Sequence, residues 1–122
     1  MKIVDRKTFL ALPPGTLFGK MMLGGPSMLT CEGLGIKGET IGNDFYEQDI
    51  VSPWFEGCND GGQWADIVYG MYGGKPSPPI DLNTETRDGL FDPEQFFAVW
   101  EKADVSALIL RLAHALDDGY GG

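Results

Sequence analysis

At 122 residues, 43% of them hydrophobic, the chain is long enough for one globular domain with a modest core and too apolar for disorder. Its 18 glycines come in clusters that call for many tight turns between short elements, which excludes a helical bundle. The formal charge of −9 disfavours direct contact with phosphate backbones or anionic membranes and leaves a basic partner as the natural one.

The charge is unevenly placed. Residues 1–40 carry five Lys/Arg against three acids, residues 41–80 carry six acids against Lys75, and residues 81–122 carry nine acids against Arg87, Lys102 and Arg111. The opening Met-Lys-Ile-Val-Asp-Arg-Lys has no apolar signal core and no apolar run approaches membrane-spanning length. A cytoplasmic protein with reduced thiols is therefore expected.

In chain order, Lys2–Val4 is a short strand, followed by a short helix with Asp5 as its cap and Phe9, Leu10 and Leu12 facing inward. Pro13-Pro14-Gly15 ends that helix. Strands are expected over 16–23, 27–34, 36–41 and 45–51, separated by turns at Gly24-Gly25-Pro26 and Gly42-Asn43-Asp44. A helix is expected over 63–72, where Trp64, Ile67, Val68 and Met71 recur at helical spacing, with Trp64 buried on that stripe. After an extended Pro-rich loop, residues 80–86 alternate as a strand with one acidic face.

The clearest pattern runs from Gly89 to Gly119. Asp92 and Pro93 read as the cap and first residue of a helix with Phe96, Val99, Trp100 and Ala103 on one face. A second helix would carry Val105, Leu108, Ile109, Leu112 and Leu116, with Gly119 as its stop. The expected fold is therefore α+β: one domain over 1–118, a small antiparallel sheet packed against helices with a C-terminal helix pair, and a flexible tail at 119–122. Phe91, Phe97 and Leu110 fall off the main stripes and could form an apolar patch for self-association into a homo-oligomer.

Motifs with chemistry are scarce. Gly33-x-Gly35-x-x-Gly38 fits the dinucleotide-binding spacing but precedes strand and turn residues, where that site needs a helix N-terminus, so a twisted hairpin is expected instead. Cys31, Cys58 and His114 provide no pair at zinc-ligand spacing, and neither a metal nor a cofactor is expected. An enzyme using Cys58 or His114 remains a third-ranked alternative, because a Cys–His pair needs proximity that spacing does not supply.

Two binding readings rank higher. In the first, acids on one strand face form an anionic lattice near the phosphate repeat, with Glu47 and Asp49 on one strand and Asp81, Glu85 and Asp88 on another. In the second, Trp54, Phe55, Tyr69 and Tyr72 stack a planar ligand whose phosphates meet Lys20 and Arg87, with Arg6 and Lys7 nearby.

The opening Lys-Ile-Val-Asp-Arg-Lys-Thr-Phe-Leu-Ala-Leu-Pro-Pro-Gly-Thr-Leu-Phe resembles a family of small proteins from bacteriophages and prophages. So does Arg-Asp-Gly-Leu-Phe-Asp-Pro-Glu-Gln-Phe-Phe-Ala-Val-Trp-Glu-Lys-Ala-Asp-Val; together they span about half the chain, and residues 50–79 lie outside the likeness. The resemblance implies a non-enzymatic accessory protein in a bacterial host cell that inhibits a host defence system. The acidic surface would then block a basic, nucleic-acid-binding site on a host defence protein, and a sponge for a nucleotide immune signal is the alternative.

Overall fold

The computed structural model describes residues 1–21 and 33–120. Six strands form one sheet: β1 (Lys2–Val4), β2 (Leu17–Met21), β3 (Leu34–Ile41), β4 (Asp44–Asp49), β5 (Thr86–Arg87) and β6 (Phe96–Val99). Their spatial order is β1-β6-β2-β3-β4-β5, and every neighbouring pair is antiparallel. Three helices accompany the sheet: α1 (Arg6–Leu10), α2 (Gly61–Tyr72) and α3 (Lys102–Gly119). The α+β class read from the sequence is the class observed.

The core follows from strand alternation. Phe18, Phe45, Phe97 and Val99 project from β2, β4 and β6 onto one face, where α1 lays Phe9 among them. Phe9 is fully buried and stacks on Phe97 with ring centroids 3.9 Å apart and planes 6° from parallel. Phe18 and Phe45 close around it at 4.7 and 5.0 Å. The α1 helix is short and depends on its cap, Asp5 Oδ1 accepting from the Thr8 N–H at 2.9 Å.

The expected helix over 93–103 is overturned, and with it the C-terminal helix pair. Asp92 does accept a backbone N–H, from Glu94, but within a turn that also bonds the Gln95 N–H to the Asp92 carbonyl. Cap and turn use the same side-chain chemistry. Phe96–Val99 then enters the sheet between β1 and β2, so Phe97 and Val99, two apart, point to one face. The β1 strand has no partner other than β6 among the described residues.

Two further expectations need correction. The strand expected over 80–86 shrinks to β5 at Thr86–Arg87, with an isolated bridge between Ile80 and Phe55 further back. The α2 helix buries no residue, and Trp64 and Met71 of its stripe are 38% and 42% exposed. No residue of α3 is buried either, so neither long helix seals the core. Gly119, expected to stop this helix, is its last residue. The expected turn at 24–26, strand at 27–34 up to Glu32, and Cys31 lie outside the described residues, as do residues 121–122.

The Gly-x-Gly-x-x-Gly stretch runs into the hairpin arm β3, where the reason for Gly35 and Gly38 is space and not positive φ. A Cβ on Gly38 would sit 2.9 Å from the Tyr46 Cβ and 3.0 Å from the Glu85 carboxylate. Such closeness forbids any side chain there without a shift of β4.

Candidate functional site

A charged cluster sits at the edge of the aromatic core. Alternation on β2 puts Lys20 on the same face as Phe18, and on β4 it puts Glu47 on the face of Phe45. Lys20 Nζ lies 3.0 Å from Glu47 and 2.7 Å from Asp88, while Arg6 Nη1 reaches the other Asp88 oxygen at 3.3 Å. Arg6 Nη2 donates to the Asn43 carbonyl at 2.6 Å. The Arg6 guanidinium and the Lys20 ammonium also lie 5.6 and 5.8 Å from the Phe45 ring centroid. Two cations thus face two carboxylates, and Asp88 joins them with a side chain only 2% exposed.

The balance of burial and pairing sets the ionisation. Burial acts to lower the Lys20 pKa, but the hydrogen bonds that it donates to Asp88 and Glu47 outweigh it, and the ammonium is held above its ordinary range. For Glu47 burial wins over the Lys20 contact, and its carboxyl is raised. Next to this cluster, Asp44 is fully buried and accepts from the Gly89 N–H at 3.0 Å and from Arg87 at 2.9 Å. Burial pushes the Asp44 carboxyl up, yet its backbone N–H donors and Arg87 hold it below the usual range.

Lys37 is the odd cation. It is 1% exposed, and its ammonium bonds the Thr40 hydroxyl at 2.8 Å and the Gly38 carbonyl at 3.1 Å, with no carboxylate within ion-pair distance among the described residues. Burial holds its pKa below 10.5. The folded state therefore loses this proton first as pH rises, and the unfolded chain binds more protons between the lowered value and 10.5. Stability from this group must rise with pH through that window. Lys37→Met is expected to add about 1–3 kcal/mol at neutral pH, and its advantage over the parent should shrink as pH approaches 10 in urea titrations.

The acidic residues expected to form one surface divide into two sets. Glu47 and Asp88 are spent inside the cluster and cannot face a partner. Asp49 and Glu85 are exposed and Asp81 is half-buried, and none takes part in an ion pair among the described residues. Asp49 ends β4 beside Trp54, Thr84 and Thr86, around a recess of about 70 Å³. Glu85 lies against the Gly38–Tyr46 contact. Asp81 donates its N–H to the Trp54 carbonyl at 2.9 Å, and its side chain accepts from the Asn83 N–H at 2.8 Å.

That hydrogen bond belongs to a strap that composition alone did not reveal. Glu56 donates to Pro79, Asp81 to Trp54, and Trp64 Nε1 to Pro53 at 2.8 Å, which ties α2 to the segments on either side of it. Asp60 caps α2 by accepting the Gln63 N–H. Residues 49–85 therefore hang together as one outgrowth of the sheet, carrying Asp49, Glu56, Asp60, Asp66, Asp81 and Glu85 against Lys75 alone.

The aromatic pocket does not assemble. Trp54 and Phe55 are half-buried in the strap, while Tyr69 and Tyr72 are 73% and 87% exposed on α2. Lys20 and Arg87 are committed to acids elsewhere. Cys58 sits in the turn before α2, where its thiol donates to the Asp60 carbonyl, and His114 lies exposed on α3. The described residues hold no group of three or more His, Cys, Asp or Glu arranged to take a metal.

A separate concavity lies elsewhere, a cleft of about 450 Å³ between α1 and the loop before β6. Arg6, Lys7, Leu10, Asn43, Phe91 and Pro93 line it, and Phe91 adopts φ 54°, a conformation that bulky side chains rarely take. Sequence reading missed this cleft because Phe91 and Arg6 are far apart in the chain. No protein-family model matches the chain, and neither a curated protein nor a solved structure matches it. No helix among the described residues is long and apolar enough to cross a membrane.

Proposed function

We propose that the protein is a non-enzymatic phage or prophage accessory protein that inhibits a bacterial host's defence by binding, setting the acidic 49–85 outgrowth against a basic, nucleic-acid-binding site. One observation carries this reading: among the described residues the outgrowth's six acids have no ion pairs, while Arg6, Lys20 and Arg87 are paired with Asp44, Glu47 and Asp88 instead. Charge of one sign on a well-tied surface steers a basic partner and repels nucleic acid itself. The resemblance of both chain ends to phage and prophage proteins supports the setting, a bacterial cytoplasm.

The test is competition. The protein is added to a panel of host defence nucleases already bound to DNA or guide RNA, and release of nucleic acid is read by mobility shift. Release should fall steeply with salt and drop at least tenfold for the triple variant Asp49→Asn/Asp81→Asn/Glu85→Gln. No release across the panel, or release unchanged in the triple variant, overturns the reading.

A nucleotide-binding role is the second proposal, and the 450 Å³ cleft favours it by size. Its chemistry fits less well, since Arg6 is already committed to Asp88 and Asn43, leaving Lys7 to meet phosphate. A thermal shift with cyclic dinucleotides that vanishes in Lys7→Ala would support this second role, and a flat response would remove it.

A further inference from the structure

The α3 helix poses a problem that the acidic surface does not address. It is 18 residues long, about 27 Å, and only its first two turns meet the body, where Asp104, Val105 and Leu108 are half-buried. From Ile109 onward every residue through Tyr120 is exposed. Ile109, Leu112 and Leu116 lie on one face at spacings of three and four and are 63%, 60% and 63% exposed. Three turns of helix with an uncovered aliphatic stripe are marginal in water without a partner.

We propose that α3 pairs antiparallel with α3 of a second copy of this chain. The stripe is self-complementary in that sense: an axis between Leu110 and Arg111 sets Ile109 against Leu112 of the other copy and Val105 against its Leu116. Ser106, Ala113 and Ala115 flank the stripe and are small enough for the helices to approach at about 8 Å. Charge decides the direction. A parallel pair would align Lys102 with Lys102 and Asp117 with Asp117, whereas the antiparallel pair brings Lys102 to Asp117 at both ends. Asp104, which also falls near the ends, is already compensated by the Met1 ammonium at 2.6 Å. With one helix from each side the contact is at the small end of stable interfaces, so association in the micromolar range is expected.

The full chain is examined by sedimentation equilibrium at concentrations of about 1–100 µM. Its mass should rise from 13.3 kDa to twice that value. Leu112→Glu should weaken association at least 100-fold while circular dichroism stays that of the folded sheet, because Leu112 is 60% exposed within its own copy. Lys102→Glu and Asp117→Lys should each self-associate poorly, and an equimolar mixture should recover pairing, since every end then joins opposite charges. A monomer throughout, a dimer indifferent to Leu112→Glu, or a mixture no better than its components would overturn the proposal. The first outcome would leave the stripe to a different protein or to residues 22–32. Loss of pairing with nuclease competition intact would separate this inference from the proposed function, on which it does not depend.

Discussion

Asp88→Ala is expected to lower the melting temperature by about 10–20 °C, corresponding to a loss of about 3–5 kcal/mol. The reason is the asymmetry of buried ion pairs. Asp88 holds Arg6 with one oxygen and Lys20 with the other, and both Arg6 and Asp88 side chains are nearly sealed from water, at 6% and 2% exposure. Removing the carboxylate leaves two cations facing Glu47 alone, and Arg6 loses the only charge it touches among the described residues. A control separates this from general acid removal: Glu85→Ala, which deletes an exposed carboxylate without an ion pair, should change stability by less than about 0.5 kcal/mol. Denaturant melts of the two variants side by side decide the matter, and equal losses would mean that the cluster contributes nothing particular.

Phe9→Ala is expected to cost about 3–5 kcal/mol and to bring the domain close to unfolding. Phe9 is the single α1 side chain at the centre of the aromatic core, and it meets rings from β2, β4 and β6 at once. Its removal leaves a cavity bounded by strands that cannot collapse, because their register is fixed by backbone bonding. It also loosens α1, whose five residues have little to hold them besides this ring and the Asp5 cap. Chemical denaturation should show the loss, and near-ultraviolet circular dichroism should show weakened aromatic signals even where the fold persists. A loss under about 1 kcal/mol would mean that α1 is not what closes the sheet.

Much of the local structure was legible because it depends on neighbours in sequence. Asp5 capping α1 and Gly42-Asn43 turning between β3 and β4 are short-range effects. The misreading at 93–103 has an equally physical cause. Asp92-Pro93 followed by Phe96, Val99 and Trp100 satisfies helical spacing, yet Phe97 and Val99 also satisfy a period of two. Spacing alone cannot choose between them, and the open edge of β2 chose the strand. Burial was misjudged on α2 for a related reason. Its apolar stripe marks one face of a helix, but nothing in a stripe says that the rest of the chain will cover it.

The candidate site was less legible still. Glu47, Asp49, Asp81, Glu85 and Asp88 look alike in sequence, yet partners up to 82 positions away decide that Asp88 is buried in a network, while Asp49 has no ion pair among the described residues. By itself the sequence determined the α+β class, the excess of negative charge and its concentration after residue 40, because these depend on composition and on short-range periodicity. Only the tertiary structure decided which acids remain available to a partner and which apolar stripes remain bare. Pairing and coverage are contacts between distant segments, and their energies exist only once the sheet has brought those segments together.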